Sequence, residues 1–146
     1  VMSLELSEEL LVKEPERIAA DVVDKKCPTD TQIRKFYDDF MLLKQKTEYI
    51  FSTNEKEEIK NERFTKEIKP MIMFSKAKMA YSVGRSGKTG YSDFYREVTA
   101  KLSKIESRRD FDLFLKFYEA IIAFVKFKTF ENKMSKQNEN RRSFKK

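Results

Sequence analysis

The sequence predicts an all-α protein, a compact bundle of about five helices, and three observations support this class. Apolar residues recur at intervals of three and four along most of the chain, which is the period of one helix face. No alternating apolar and polar run is long enough to indicate a β-sheet. All three glycines lie within residues 84–90, and the prolines are Pro15, Pro28 and Pro70. The pattern indicates long helices with one flexible glycine-containing loop.

The first two helices are predicted from their starting residues. The first covers residues 15–26, because proline is favoured in the first helical turn. Thr29 and Gln32 have the spacing of a capping box, in which the threonine hydroxyl accepts from the amide of residue 32. This pair predicts the start of the second helix, whose apolar stripe consists of Ile33, Phe36, Tyr37, Phe40 and Leu43.

The middle of the chain predicts two more helices with a boundary at Pro70. Asn54 and Glu57 form a cap-like pair that opens a helix with Ile59, Phe64 and Ile68 on one side. Proline lacks an amide hydrogen, so we expect a break or kink at Pro70. The next helix is expected to start there and to continue to about Val83.

A mobile loop is predicted for residues 84–91, followed by two helices. Ser92 is the expected cap of a helix that carries Phe94, Val98, Leu102 and Ile105. Ser107 and Asp110 form a capping pair for residues 111–130. Apolar residues surround most of that last segment, which is typical of a helix buried on several sides, so we expect it to be central.

The chain is expected to form one domain with two less ordered ends. We predict a weakly ordered N-terminal segment at residues 1–14, in which scattered leucines allow at most a short helix. The helical bundle covers residues 15–130. Residues 131–146 are rich in Asn, Gln, Ser, Lys and Arg and bury little apolar surface, which predicts a disordered basic tail.

Composition argues against an enzyme. The chain contains no histidine and a single cysteine, Cys27, so the usual parts of zinc sites and of Ser-His or Cys-His catalysis are missing. Asp38 and Asp39 are adjacent carboxylates, but neighbouring helix positions diverge by about 100°, so the two do not share a face. We therefore predict no catalytic residue, no metal and no cofactor, and we expect Cys27 to be inert.

One segment invites comparison with a phosphate-binding loop. Gly87, Lys88 and Thr89 fit the end of that motif, but its first glycine would fall at position 82, which is Ser82. The motif also joins a strand to a helix, whereas here the segment before the glycines is predicted to be a helix. Nucleotide hydrolysis is rejected on these grounds, and the glycines are interpreted as part of a basic loop that approaches phosphate.

Positive charge is concentrated in the middle and at the end of the chain. The net charge is +7 overall, −4 over residues 1–30, +7 over residues 69–109 and +4 over residues 131–146. A concentrated basic zone favours a polyanionic partner, although a solvated lysine-rich helix face is an equal alternative. Most aromatic residues have helical spacing and are assigned to the core, with Tyr91 and Phe94 less certain.

The sequence shows neither a membrane span nor an export signal. No apolar run approaches the roughly 18 residues that a spanning helix needs. With one cysteine and no such segment, the chain is expected to be cytoplasmic.

Three stretches, taken in order, resemble a known family. They are residues 31–36 (TQIRKF), 76–85 (KAKMAYSVGR) and 114–127 (FLKFYEAIIAFVKF). Together they are similar to the small helical subunit of the type III-A CRISPR effector, the Csm interference complex, over about residues 29–130. The related type III-B small subunit is the alternative family. The glycine-containing segment after Arg85 is somewhat longer than the family leads us to expect.

The resemblance implies a non-catalytic subunit in several copies along a filament, in antiviral defence. The implied partners are guide RNA, target RNA, the backbone and large subunits, and further copies of the chain. RNA cleavage in such complexes belongs to the backbone subunit, and DNA cleavage and cyclic-oligoadenylate synthesis to the large subunit. A helical adaptor that contacts only proteins is the alternative function.

Seven basic residues are predicted to contact the RNA sugar-phosphate backbone. Arg34, Lys78 and Arg85 match basic positions of the family stretches, whereas charge density adds Lys35, Lys69, Lys76 and Lys88. For Arg34 and Arg85 an ion pair or a helix-end cap within the bundle is an equal alternative.

Overall fold

The computed structural model describes residues 3–144, with the side chains of 143 and 144 outside the description. Five continuous helical segments form the chain, and the described residues contain no β-strand, which confirms the all-α class. A π-helical turn, Glu9–Lys13, leads into the first α-helix, and a second, Phe64–Ile68, joins α3 to α4. The α-helices are α1 (Glu14–Lys25), α2 (Asp30–Phe51), α3 (Glu57–Arg63), α4 (Lys69–Ser86), α5 (Thr89–Leu102) and α6 (Arg108–Phe144).

Helix α6 is central, as its sequence predicted. Its first half packs mainly against α1 and α2, and the fully buried residues along it are Phe111, Phe114, Phe117, Tyr118 and Ile121. A ring from α2, Phe40, packs edge-on against Phe114, with ring centroids 5.2 Å apart. Edge-to-face contacts of this kind add to the gain from apolar burial. Aromatic packing between α2 and α6 is therefore the centre of the core.

Tyr118 ties the same two helices together through a hydrogen bond. Its buried hydroxyl donates to the Ile33 carbonyl oxygen at 2.6 Å. Burial raises the pKa of Tyr118 well above its usual value, so the hydroxyl keeps its proton and remains a donor. The Tyr118 hydroxyl is tolerated within the apolar core because the Ile33 carbonyl oxygen accepts its hydrogen bond.

Two of the predicted caps are present. Thr29 Oγ1 accepts from the Gln32 amide at 3.2 Å, and Gln32 Oε1 accepts from the Thr29 amide at 2.8 Å, so the capping box is complete. At the start of α6, the Asp110 amide donates to Ser107 Oγ at 3.3 Å. The Asp110 carboxylate accepts from the Glu106 amide at 2.9 Å, which fixes the turn that leads into α6.

The two other predicted caps are wrong. The N-cap residue of α3 is Lys56 instead of Asn54, and that of α5 is Lys88 instead of Ser92. Neither lysine makes a side-chain capping hydrogen bond. Both helices start in a turn of lysine and small polar residues, where several positions could begin a helix and packing selects one.

The chain does not break at Pro70. Pro70 lies in the first turn of α4, as the sequence predicted, but the expected break before it is absent. The π-helical turn Phe64–Ile68 precedes it and keeps the chain helical from α3 into α4. Phe64 and Ile68, the first and last residues of this turn, are both buried.

The mobile loop predicted for residues 84–91 is wrong. Helix α4 continues through Gly84 to Ser86, and only Gly87 and Lys88 separate it from α5. Gly87 has φ +66°, and its amide donates to the Val83 carbonyl at 3.0 Å, so it is the left-handed residue that ends α4. Glycine here ends a helix, and so gives a tight connection instead of a mobile one.

Gly90 has a different role from Gly87. It is buried in the first turn of α5, and a Cβ atom there would lie 3.1 Å from the Lys25 Cβ and 3.3 Å from the Cys27 carbonyl oxygen. The residue therefore lets α5 approach the end of α1 closely. This packing fixes the connection between α4 and α5 against the rest of the bundle.

Near both ends, within residues 3–144, the structure has more order than the predicted weakly ordered segment (1–14) and disordered tail (131–146); residues 1, 2, 145 and 146 lie outside the described part of the chain. Leu4 and Leu10 are 3% and 5% exposed, and the Leu4 carbonyl accepts from Arg109 Nη1 at 3.3 Å. Residues 4–13 therefore pack on the bundle. At the other end, α6 continues through residues 131–144, where we expected disorder. No glycine or proline interrupts the chain after residue 90, so the helix extends beyond the bundle with residues 131–142 exposed.

Candidate nucleic-acid interface

A groove between α2 and α4 brings basic and aromatic side chains together. Two adjoining cavities, of about 490 and 550 Å³, share Lys35, Phe36, Tyr81 and Ser82 among their lining residues. We call this surface the α2–α4 groove and define it by four cations and two exposed aromatic residues: Lys35, Lys78, Arg85, Lys88, Phe74 and Tyr81. Buried Phe36 and Tyr91 also line it.

The spacing along α4 explains why its groove residues share a face. Phe74, Lys78, Tyr81 and Arg85 follow one another at intervals of four, three and four, which is one helix face. The buried residues of α4 are Ile72, Ser75 and Met79, on a different face that packs into the bundle. The core therefore sets the rotation of α4 and turns the basic and aromatic face outward.

Lys35 and Lys88 complete the cluster from the neighbouring segments. Lys35 lies one turn after the capping box, so the start of α2 fixes its position. Lys88 follows the left-handed Gly87 and is held between two helix ends. All four cations thus stand on helices or at a tight turn, which orders their backbones before any ligand binds.

The four groove cations have no acidic partners within the described part of the chain. None has a carboxylate oxygen within 4.0 Å, although ion pairs are common elsewhere in the molecule. Asp39 is the one carboxylate among the lining residues. Four cations against one carboxylate give the groove a positive potential that attracts polyanions.

A larger cavity between α1 and α5, of about 740 Å³, has the opposite electrostatic character. Most of its charged residues are paired: Arg17 lies 3.1 Å from Glu97, and Lys25 lies 2.7 Å from Asp93 and 3.0 Å from Asp21. Hydrogen bonding to Lys25 lowers the pKa of Asp93, and hydrogen bonding to Asp93 and Asp21 raises the pKa of Lys25. These side chains neutralise one another, so size alone does not make this cavity a polyanion site.

The structure separates the seven predicted residues into two sets. Lys35, Lys78, Arg85 and Lys88 lie together in the groove. Arg34 Nε is paired with Asp30 at 3.1 Å, and Lys69 is paired with Glu106. Lys76 lies on the other side of α4, about 200° from Phe74 around the helix axis. The first set is the candidate site, and the other three are outside it.

Tyr91 places a phenol on the wall of the groove. The residue is 1% exposed, and its hydroxyl makes no well-formed hydrogen bond within residues 3–142. Burial raises the pKa of Tyr91, and the neighbouring Ser82 hydroxyl partly offsets that effect. The phenol therefore stays neutral. Tyr91 and Phe94 are both buried, which assigns the two uncertain aromatic residues to the core.

Phe74 and Tyr81 were missed by the sequence reasoning, which assigned aromatic residues at helical spacing to the core. Phe74 is 52% exposed and Tyr81 is 69% exposed. Lys78 Nζ lies 5.8 Å from the centroid of the Phe74 ring, which is a cation–π distance. The alternation of rings with Lys78 and Arg85 on one face was the signal that could have identified them.

Other kinds of site find little support in the described residues. No three His, Cys, Asp or Glu side chains group there as possible metal ligands. Residues 82–89 connect two helices, so the strand that a phosphate-binding loop requires is not in that position. None of the helices over residues 3–144 has both the length and the apolar character needed to cross a membrane.

Comparison with protein-family models gives a match that covers most of the chain. The model of the family described as Csm2 Type III-A matches residues 5–141. The match covers every helix that lines the groove and nearly the whole chain. No curated protein sequence and no solved structure shows a significant match.

Proposed function

The chain belongs to the Csm2 Type III-A family of small effector subunits, and from this premise we propose that it holds guide RNA and target RNA by their sugar-phosphate backbone in the α2–α4 groove. The observation that carries the proposal is the cluster of four cations without acidic partners: Lys35, Lys78, Arg85 and Lys88. Phosphate is the ligand that such a cluster favours, since each contact releases counterions from the polyanion.

Backbone contact is sufficient for a subunit of an RNA-guided complex. In such a complex, base pairing between guide and target identifies the sequence, so a protein subunit need only position the strands. Lysine and arginine on helices can do this without a base-specific motif. The groove suits this task because α2, α4 and the Gly87–Lys88 connection fix the backbone positions of its cationic residues.

We further propose that the chain has no catalytic step of its own. The sequence has no histidine, and the titratable groups of the groove are three lysines, an arginine, Asp39 and the phenols of exposed Tyr81 and buried Tyr91. A phenol whose pKa is raised is a poor base near neutral pH. The chain would contribute binding and positioning of RNA, beside the backbone and large subunits of the complex.

Several copies along one RNA would increase the total affinity. A groove with four cations contacts few phosphates, so a single copy should bind weakly. When copies are held side by side by the complex and by one another, later contacts become intramolecular and the overall affinity rises steeply. We propose that several copies of the chain line the filament in this way, side by side along the RNA.

The salt dependence of RNA binding tests the proposal. We expect the isolated wild-type chain to bind single-stranded RNA, with an affinity that falls as salt is raised. If the four cations contact one phosphate each, the log–log slope should be about −2.8, from roughly 0.7 for each phosphate neutralised. Fluorescence anisotropy with a labelled oligonucleotide gives the slope. Absence of binding even at low salt would favour an adaptor that contacts only proteins.

A further inference from the structure

We infer that the α2–α4 groove takes RNA whose bases are unpaired, because Phe74 and Tyr81 form stacking surfaces beside the phosphate-binding cations. The inference rests on the proposed function and specifies its substrate class: nucleotides of the guide or target strand that are not paired with the other strand. It adds a contact to the bases that is independent of their identity, since every base has a π face.

The first support is the exposure of the two rings. Phe74 is 52% exposed and Tyr81 is 69% exposed, so both leave apolar ring surface in water. Neither ring is part of the buried core, so packing of the bundle does not explain their presence. Tyr81 contacts no other aromatic ring and no cation at cation–π distance within the described residues. Lys78 approaches Phe74, yet 52% of that residue remains exposed.

The second support is the order of side chains along α4. Phe74, Lys78, Tyr81 and Arg85 alternate ring and cation on one face. A single strand offers its phosphates and its bases in the same alternation. Grooves for single-stranded nucleic acid combine a positive track for the backbone with aromatic rings for the bases. Other exposed aromatic residues, such as Tyr49 and Phe130, do not line the groove.

The third support is that a duplex cannot use these rings. The two rings are seven residues apart on α4, which places them about 10 Å apart along the helix axis. Stacked bases in a duplex lie about 3.4 Å apart and cover one another's faces. Only bases that have left the stack can present a face to Phe74 or to Tyr81.

Three probes of equal strand length separate stacking from phosphate binding; the two single strands carry equal backbone charge, and the duplex carries about twice that charge. They are an oligouridylate of about eight nucleotides, within the range of single-strand sites, an abasic ribose-phosphate strand, and the oligouridylate sequence paired in a duplex. At about 1 kcal/mol per stacked base, two rings predict an affinity for the oligouridylate that is roughly 30-fold higher than for the abasic strand. Because the duplex differs in charge, its comparison is between proteins: wild type and F74A/Y81A should bind the duplex with equal affinity.

Variants at the two positions test which side chains cause the preference. F74A/Y81A should bind the oligouridylate and the abasic strand equally, at the wild-type affinity for the abasic strand. F74L/Y81L keeps apolar bulk without a π face and should behave in the same way, whereas Y81F should retain the preference. Y49A, an exposed tyrosine outside the groove, is the matched control and should match wild type.

The outcomes distinguish this inference from the proposed function. If wild-type protein binds the oligouridylate and the abasic strand equally, with the expected salt dependence, stacking is wrong and phosphate binding stands. If the preference for bases survives in F74A/Y81A, the stacking site lies elsewhere and the assignment to these rings is overturned. If none of the probes binds at low salt, both proposals are overturned.

Discussion

Replacing Lys35, Lys78, Arg85 and Lys88 together by alanine is expected to weaken single-stranded RNA binding by about 30-fold or more at low salt. Even at roughly 0.5 kcal/mol for each lost contact, the four add up to about 2 kcal/mol. The slope of log affinity against log salt should also become shallower by up to about 2.8. Both quantities come from anisotropy titrations of wild type and variant at several salt concentrations.

A second quadruple variant controls for net charge. Lys46, Lys76, Lys116 and Lys126 lie outside the groove, and none has a carboxylate within ion-pair distance in the described part of the chain. Replacing them by alanine removes the same charge, so long-range attraction falls equally. We expect a slope close to that of wild type. Equal losses in the two variants would contradict the groove as the site.

Replacing Phe114 by alanine is expected to lower the free energy of unfolding by about 3–5 kcal/mol. The side chain is fully buried, and its ring packs against Phe40 and Tyr118 at the contact between α2 and α6. Truncation removes apolar contacts and leaves a cavity that rigid helices cannot close. A domain of this size has only about 5–15 kcal/mol of stability in total. Urea denaturation followed by circular dichroism measures the change.

Phe130 provides the matched control on the same helix. It is 59% exposed and lies where α6 leaves the bundle. Replacing it by alanine changes helix propensity and residue type in the same way, without opening a cavity. We expect a change within about 0.5 kcal/mol. A cost for Phe114 no larger than that for Phe130 would show that α6 is not the centre of the core.

The period of apolar residues predicted the core because burial imposes that period directly. Phe36, Phe40 and Leu43 on α2 are buried as their spacing predicted. Apolar residues all round the first half of α6 predicted its central place, and the structure confirms it. The limit of that pattern is visible at Phe127, which continues the apolar run but is 49% exposed.

Connections were harder to predict because a glycine has several possible roles. Gly87 ends α4 and Gly90 allows close packing, and both depend on where α1 and α5 lie. A short segment with several glycines is also typical of a mobile loop. Likewise, the polar residues after Phe130 bury nothing, which predicted disorder, yet they extend a helix that the bundle has already nucleated.

The candidate site was predicted in part. Charge density and the family stretches selected seven cations, and the fold brings four of them into one groove. Lys69 meets Glu106, 37 residues away, a contact that a linear sequence does not show. A cation contributes to a positively charged surface only where folding places no carboxylate beside it. The exposed rings of Phe74 and Tyr81 depend in the same way on how α4 is rotated.

Amide chemical-shift mapping of the isolated chain during titration with single-stranded RNA tests the central claim most directly. We expect the largest changes at residues 32–39 of α2, at residues 74–86 of α4, and at Gly87 and Lys88, with little change around the paired charges of the α1–α5 cavity. Changes that centre on that cavity, or that spread evenly over the basic surface of the molecule, would contradict the claim that the α2–α4 groove holds RNA.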